Sequence, residues 1–236
     1  HEKKKYLQNI KVTFLSGTKK IYKDVLNSSF FNKKKHENYI LNLGLDLKSY
    51  KPVSNNRTKD KISISLRSSL NPRKGNFILT KALEYICSRD ININKKVKFN
   101  IIGDSSILKF LNKKKFEYKF KSTIKNEREL ISFYQNSDFF LNQSIQDAGP
   151  IMVNEALACG LPVLSFKVGI SNDVIRNNFN GFLLSDISKK KLGNKIIEIT
   201  NIKKKILRKM KNNARKTALK NFDIKEKDKK IFKLIK

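Results

Sequence analysis

The chain has 236 residues, long enough to bury a full core and suited to one large domain or to one domain and part of another. Hydrophobic residues make up 39% and charged residues 31%, the composition of a globular chain, and no apolar run approaches the ~18 residues of a membrane span. The formal charge of +32 favours loose attraction to phosphates and anionic lipid surfaces, but no nucleic-acid-reading motif accompanies it.

The lysines are scattered. Triplets occur at Lys3–Lys5, Lys33–Lys35, Lys113–Lys115, Lys189–Lys191 and Lys203–Lys205, amid abundant Asn and Ile. That is the pattern of a compositional bias, so no specific nucleic-acid partner is expected. No secretory signal is expected either, because no apolar segment follows HEKKKYLQN. The first residue is His, which suggests a fragment or a processed form. Cys87 and Cys159 have neither the number nor the spacing for a disulfide framework or a zinc site. They read as reduced, buried side chains in a cytosolic protein.

In chain order, Lys11–Leu26 reads as one strand and one helix, Glu37–Pro52 as an extended connector and Val53–Asp60 as a polar linker. From about Lys61 onward, strands and helices alternate. Ile62–Leu66 is a buried strand followed by the turn SSLNPRKG. Asn76–Cys87 is a helix with Phe77, Ile78, Ala82, Leu83 and Ile86 on one face. Val97–Asp104 is a strand, and Phe116–Phe120 a strand with one wet face. Asn126–Ser137 is a helix with Leu130, Ile131 and Tyr134 inward, and Asp138–Ser144 a strand. Gly149–Gly160 is a helix with Pro150 in its first turn and Gly160 at its stop. PVLSF and GFLL are strands, and Ser185 onward is helical and basic. Strand and helix alternating at this spacing predict an α/β fold, a Rossmann-like open parallel sheet with helices on both faces. Ligands of such sheets bind at the carboxyl ends of the strands, here the loops after Leu66, Ile102, Phe120, Asn142 and Phe166.

One of those loops carries unusual chemistry. In SIQDAGPIMVNEALACGLPVLSF, Ser144–Phe166, two acids lie eight residues apart across a Gly-Pro step. A helix starting at Gly149–Pro150 presents unpartnered N–H groups and the positive end of its dipole, a place for an anion such as a diphosphate. Gly149 lets backbone approach closely. Asp147, just before the helix, can accept from sugar hydroxyls. Glu155 lies ~8 Å further along the axis, where its backward-leaning side chain can meet a second hydroxyl pair. The plainer alternative makes Asp147 a helix N-terminal acid and Glu155 an exposed helix residue.

The stretch resembles the signature of the GT-B glycosyltransferases of family 4, also called group 1: an acid, seven residues, then Glu, small residues, Gly and Pro-Val. Other segments are similar to that family's in order: NPRKG, NIIGD, ELISFYQNSDFFLNQS, GISNDVIRNNFNGFLL, NLGLDLKSYKP and VTFLSGTKK. The resemblance implies two facing Rossmann-like domains, with the donor in the C-terminal one, no metal, and transfer with retention of configuration. It implies Glu155 on the ribose, Asp147 on the transferred sugar, and backbone around Ala148, Gly149, Pro150 and Ile151 holding sugar and phosphate. Lys74 would take the diphosphate, and Ser122 and Thr123 would meet the base. Arg67 stands one residue further from the lysine than the family's usual Arg; Arg73 either takes its place or simply faces solvent. His1 and His36 match no catalytic motif and read as solvent-exposed.

By this likeness residues 1–57 are the remnant of an acceptor domain with its connector, 58–222 the donor-binding domain and 223–236 a C-terminal helix. The implied function is the donor-binding half of a glycosyltransferase, moving a sugar from a nucleotide sugar to a glycan or lipid-linked acceptor. Cell-surface polysaccharide or glycolipid synthesis in a bacterium fits, in the cytoplasm or peripherally on the cytoplasmic face of the inner membrane. The chain is expected to lack most of its acceptor domain and to be inactive alone. Two other readings stand beside this one: a non-catalytic nucleotide-sugar-binding module and a basic nucleic-acid-binding protein.

Overall fold

The computed structural model describes residues 2–53 and 61–235. Its elements in order are α1 (Glu2–Asn9), β1 (Val12–Ser16), α2 (Lys19–Leu26), β2 (His36–Ile40), β3 (Ile62–Ser68), α3 (Asn76–Arg89), α4 (Ile93–Lys96), β4 (Val97–Gly103), α5 (Leu108–Lys113), β5 (Glu117–Lys121) and α6 (Glu127–Gln135). Then follow β6 (Phe139–Asn142), α7 (Ile151–Ala158), β7 (Val163–Phe166), α8 (Gly169–Val174), β8 (Gly181–Leu184), α9 (Lys189–Thr200), α10 (Lys204–Asn221) and α11 (Ile224–Ile235). Among the described residues no helix is long and apolar enough to cross a membrane.

Six parallel strands form the main sheet in the order β5-β4-β3-β6-β7-β8. Both faces are covered, as the near-continuous burial of β3, β4, β6 and β7 requires. Side chains alternate across the sheet. Phe139 and Leu141 join a core with Ile64, Leu66, Leu79 and Leu83 of α3, and Ile196 of α9. Phe140, between them, joins the opposite core with Tyr134 of α6, Val153 and Leu157 of α7, and Ala214 of α10. The order reverses beside β3 and β6, so the loops after these two central strands open at the sheet's carboxyl edge, where such folds bind ligands.

The segment before residue 41 forms a smaller body. β1 and β2 pair in parallel with α2 packed beside them. A two-stranded pair alone is marginal. Here Phe14 stacks obliquely on Phe30 and Phe31, and His36 meets Phe14 and Phe31 edge-on. The connector then joins the main body: Leu45, Leu47 and Tyr50 are buried in the second core.

The structure corrects several of these expectations. The connector does not begin at Glu37; residues 37–40 are extended as expected but belong to β2, paired with β1 in the smaller body. His36 is buried, not exposed. The Asn32 N–H donates to its Nδ1, which leaves Nε2 to donate to the Leu7 carbonyl at 2.7 Å. Phe77 is 73% exposed, and Leu79 takes the inward place. Two helical residues differ by about 200° around the axis, so Leu79 aligns with Ala82, Leu83 and Ile86 while Phe77 cannot. Cys159 is buried as expected, but Cys87 is only half-buried. His1, the linker beyond Val53 and the expected boundary between residues 57 and 58 lie outside the described residues.

Candidate active site

Three loops converge at the carboxyl edge. The first follows β3. Asn71 accepts from the Arg73 N–H, Pro72–Lys74 make one 3-10 turn, and Gly75 closes it at φ +74°. A Cβ at Gly75 would lie 1.9 Å from the Gln143 carbonyl oxygen, so only glycine lets this turn press on the loop after β6. The two loops are hydrogen-bonded together. The Arg73 carbonyl accepts from the Ile145 and Gln146 N–H groups, and Gln143 Nε2 donates to the Arg67 carbonyl at 2.6 Å. The third loop follows β7, where Gly169 at φ +48° packs on the backbone of Asp147 and Ala148.

This stitching sets Lys74 against Asp147. Lys74 Nζ lies 2.5 Å from Asp147 Oδ2, with the lysine side chain 40% exposed and the aspartate side chain 11%. Oδ1 of the same carboxylate accepts from the Gly149 N–H at 3.2 Å. A Cβ at Gly149 would stand 3.7 Å from the Thr18 methyl, ordinary van der Waals contact with the small body. Pro150 is the N-cap of α7, just outside the first turn in which it was expected, and no side chain caps the helix. The open N-terminus of α7 therefore adjoins the Lys74–Asp147 pair, and both features attract an anion with attached hydroxyls.

Glu155 projects from α7 into the second core. It is 8% exposed, which excludes the exposed-helix reading. Its Oε2 accepts from the Tyr134 hydroxyl at 2.7 Å. Burial pushes the Glu155 carboxyl above its ordinary range; the Tyr134 hydrogen bond and the Arg67 charge pull it down, and the Glu127 charge adds to the rise. Burial, reinforced by the Glu155 charge, also raises the Tyr134 phenol far above its usual value. The Cys159 thiol one turn on is pushed up to about 12 by burial and by the same charge. It is a protonated, inert group at neutral pH.

The remaining expected residues are distributed unevenly. Arg67 is exposed near the end of β3, close enough for its charge to reach Glu155. The Arg73 side chain is also exposed, and its carbonyl serves as the acceptor between loops. Ala148 is exposed, while Gly149, Pro150 and Ile151 are half-buried around the start of α7. Ser122 and Thr123 are exposed after β5, the edge strand, and β4 separates them from the loop that carries Lys74. Two features escaped the sequence reading. Tyr134 was expected only as an inward side chain, although a buried phenol needs a partner for its hydroxyl. The start of α2 also reaches the site: the Lys19 N–H donates to Asp173 Oδ2 at 2.8 Å, bringing the small body to the mouth of the large one.

Comparison with known proteins agrees with this architecture. The chain is 27% identical over 199 residues to the UDP-Gal:alpha-D-GlcNAc-diphosphoundecaprenol alpha-1,3-galactosyltransferase of Escherichia coli, covering 77% of this chain and 49% of that one. It thus spans about half the length of that curated relative. A glycosyltransferase crystal structure from Rickettsia africae superposes with a TM-score of 0.78 at 18% identity, over 99% of this chain and 66% of the other. An Anabaena protein solved with UDP and glucose superposes at 0.72 and 18% identity, over 94% of this chain and 62% of the other. These similarities establish the GT-B-type α/β fold. The family model for glycosyl transferases group 1 matches residues 47–217, well over half of the chain, so the chain belongs to the glycosyl transferases group 1.

Proposed function

We propose that this chain holds the nucleotide-sugar donor of a retaining, metal-independent hexosyltransferase. The observation that carries the reading is the Lys74–Asp147 pair stitched beneath the uncapped N-terminus of α7, with Glu155 buried further along the same helix. A donor diphosphate would lie at the helix start and draw Lys74 from Asp147, freeing that carboxylate for the hydroxyls of the transferred sugar. Glu155 would accept from the ribose diol. As the glycosidic bond breaks, Lys74 and the amides around Ala148, Gly149 and Ile151 oppose the charge growing on the diphosphate, the role a divalent cation would otherwise take. Arg67 or Arg73 adds to this field, and Ser122 and Thr123 edge the base. Residues 1–57 are proposed as part of the acceptor-binding body, 58–222 as the donor domain and 223–236 as a closing helix. Transfer is proposed for this chain together with a fuller acceptor-binding body.

UDP in the Anabaena structure and the lipid-diphosphate acceptor in the Escherichia coli relative's name support a uridine donor and a glycan or lipid-linked acceptor. The surplus of lysine supports peripheral contact with an anionic membrane, on its cytoplasmic face where such donors are found.

Calorimetry with UDP-, GDP- and ADP-sugars tests the reading. Glu155→Ala and Lys74→Ala should each weaken binding by about tenfold or more, the loss of one charge-assisted contact. Exposed Lys190→Ala should leave it unchanged, and EDTA should have no effect. Equal affinities for Glu155→Ala and Lys190→Ala would remove the site, and steep salt-dependent DNA binding without response to nucleotide sugars would replace the function.

A further inference from the structure

We propose that Tyr134 is a positioning residue for Glu155: its buried hydroxyl holds Oε2, fixing the carboxylate so that Oε1 is the atom offered to a nucleoside ribose. The inference rests on the donor-binding reading above and goes beyond it, because it assigns the recognition of the ribose to a pair and not to a single acid.

Tyr134 cannot easily move. It is fully buried, and its ring is wedged edge-on between Phe133 at 5.2 Å and Phe140 at 5.7 Å. The position of its hydroxyl is therefore set by the packing of α6 on β6. A buried carboxylate needs donors, and an unsatisfied one would rotate toward water or take up a proton. Among the described residues Tyr134 is the side chain that donates to Glu155, at 2.7 Å, and it takes Oε2 alone.

The electrostatic surroundings make that donor decisive. Glu155 faces Glu127 and Tyr134 on α6, Tyr50 of the connector, Cys159 at the end of its own helix, and Arg67 on β3. Of these, Arg67 alone brings a positive charge and Glu127 a negative one, and Arg67 is exposed at the sheet edge. Burial favours the protonated acid, and the phenol is the largest influence opposing it. A protonated Glu155 offers a poorer acceptor to a diol. Tyr134 thus governs both where the carboxylate points and whether it is charged.

The test uses the full chain as wild type and two variants, Tyr134→Phe and Glu155→Gln. Phenylalanine keeps the ring and removes only the donor. Carbon-13 NMR titration of the Glu155 carboxyl, assigned by its absence in Glu155→Gln, should show the midpoint rising by about one pH unit in Tyr134→Phe. Calorimetry with UDP and 2′,3′-dideoxy-UDP then reads orientation. Wild type should prefer UDP by about tenfold, the value of one good hydrogen bond to a charged group. Tyr134→Phe should lose most of that preference and keep its affinity for the dideoxy form. A variant that fails to fold would weaken both ligands together, so Glu155→Gln, which keeps a neutral acceptor for Tyr134, supplies the second measurement: its UDP preference should fall and cease to depend on pH. An unmoved Glu155 midpoint, or an unchanged UDP preference in Tyr134→Phe, overturns the proposal while leaving donor binding intact. Wild type that binds neither ligand overturns the donor-binding reading and this one with it.

Discussion

Glu155 binds its proton more tightly in the fold than in an unfolded chain, since burial raises its carboxyl above the ordinary value. The sign of the linkage follows. The contribution of this group to stability is complete below the unfolded carboxyl range, about 4.3, and is lost as pH rises through the raised folded value. At neutral pH the residue is a burden to the fold. Glu155→Gln should therefore raise the thermal midpoint at pH 7.5 by about 2–4 °C, a shift worth about 1 kcal/mol in a chain of this size. The gain should shrink toward pH 4, and calorimetric scans at the two pH values check it. The same substitution is expected to weaken donor binding, so stability and recognition pull in opposite directions at this one position.

At the scale of elements, the turn after β3 and the loop after β6 behave as one unit. Gly75 at φ +74° presses against the Gln143 carbonyl, and the Arg73 carbonyl takes two N–H groups from the other loop. Gly75→Ala would place a methyl carbon 1.9 Å from that oxygen and demand a left-handed backbone of an L residue. The loops should part, with a stability loss of about 2 kcal/mol in urea unfolding and a larger relative loss of UDP affinity than of stability.

How much of this was legible beforehand depends on the range of the interactions. The alternation of strands and helices was readable because hydrophobic periodicity is local, and Gly160 at φ +73° stops α7 as its sequence context suggests. The helix at Asn76 begins where it was expected, but Phe77 was misplaced because it stands about 180° around the axis from Ile86 and so cannot share that residue's inward face. β2, HENYI, is weakly hydrophobic, so nothing local announces its pairing with β1. Lys74 and Asp147 are 73 residues apart, and their direct contact follows from strand order, which no spacing encodes. Tyr134 and Glu155 lie only 21 apart, yet the tie between them needed the helix–helix packing to be seen.

On the scale of the whole molecule, the connector is fastened to the main body by Arg215 of α10. Its guanidinium donates to the carbonyls of Tyr50 at 2.5 Å, Ala158 at 2.8 Å and Leu47 at 2.8 Å. The Leu45 N–H donates in turn to the Phe222 carbonyl, and Ile224 returns a bond to Leu45. One side chain thus joins the connector, the end of α7 and the last long helix. Arg215→Ala leaves three carbonyls without that donor and should destabilise the chain by about 2–3 kcal/mol, read as a lower urea midpoint.

The couple formed by Lys74 and Asp147 also bears on which anions the protein admits. With +32 on the chain, every passing phosphate is drawn to the surface. At this spot, however, cation and carboxylate already neutralise each other, and an incoming anion must separate them. Inorganic phosphate would gain the lysine and leave the aspartate stranded. On the proposed donor-binding reading, a sugar-bearing diphosphate would satisfy both halves at once, so the internal salt bridge would guard the site against ligands that bring charge without hydroxyls.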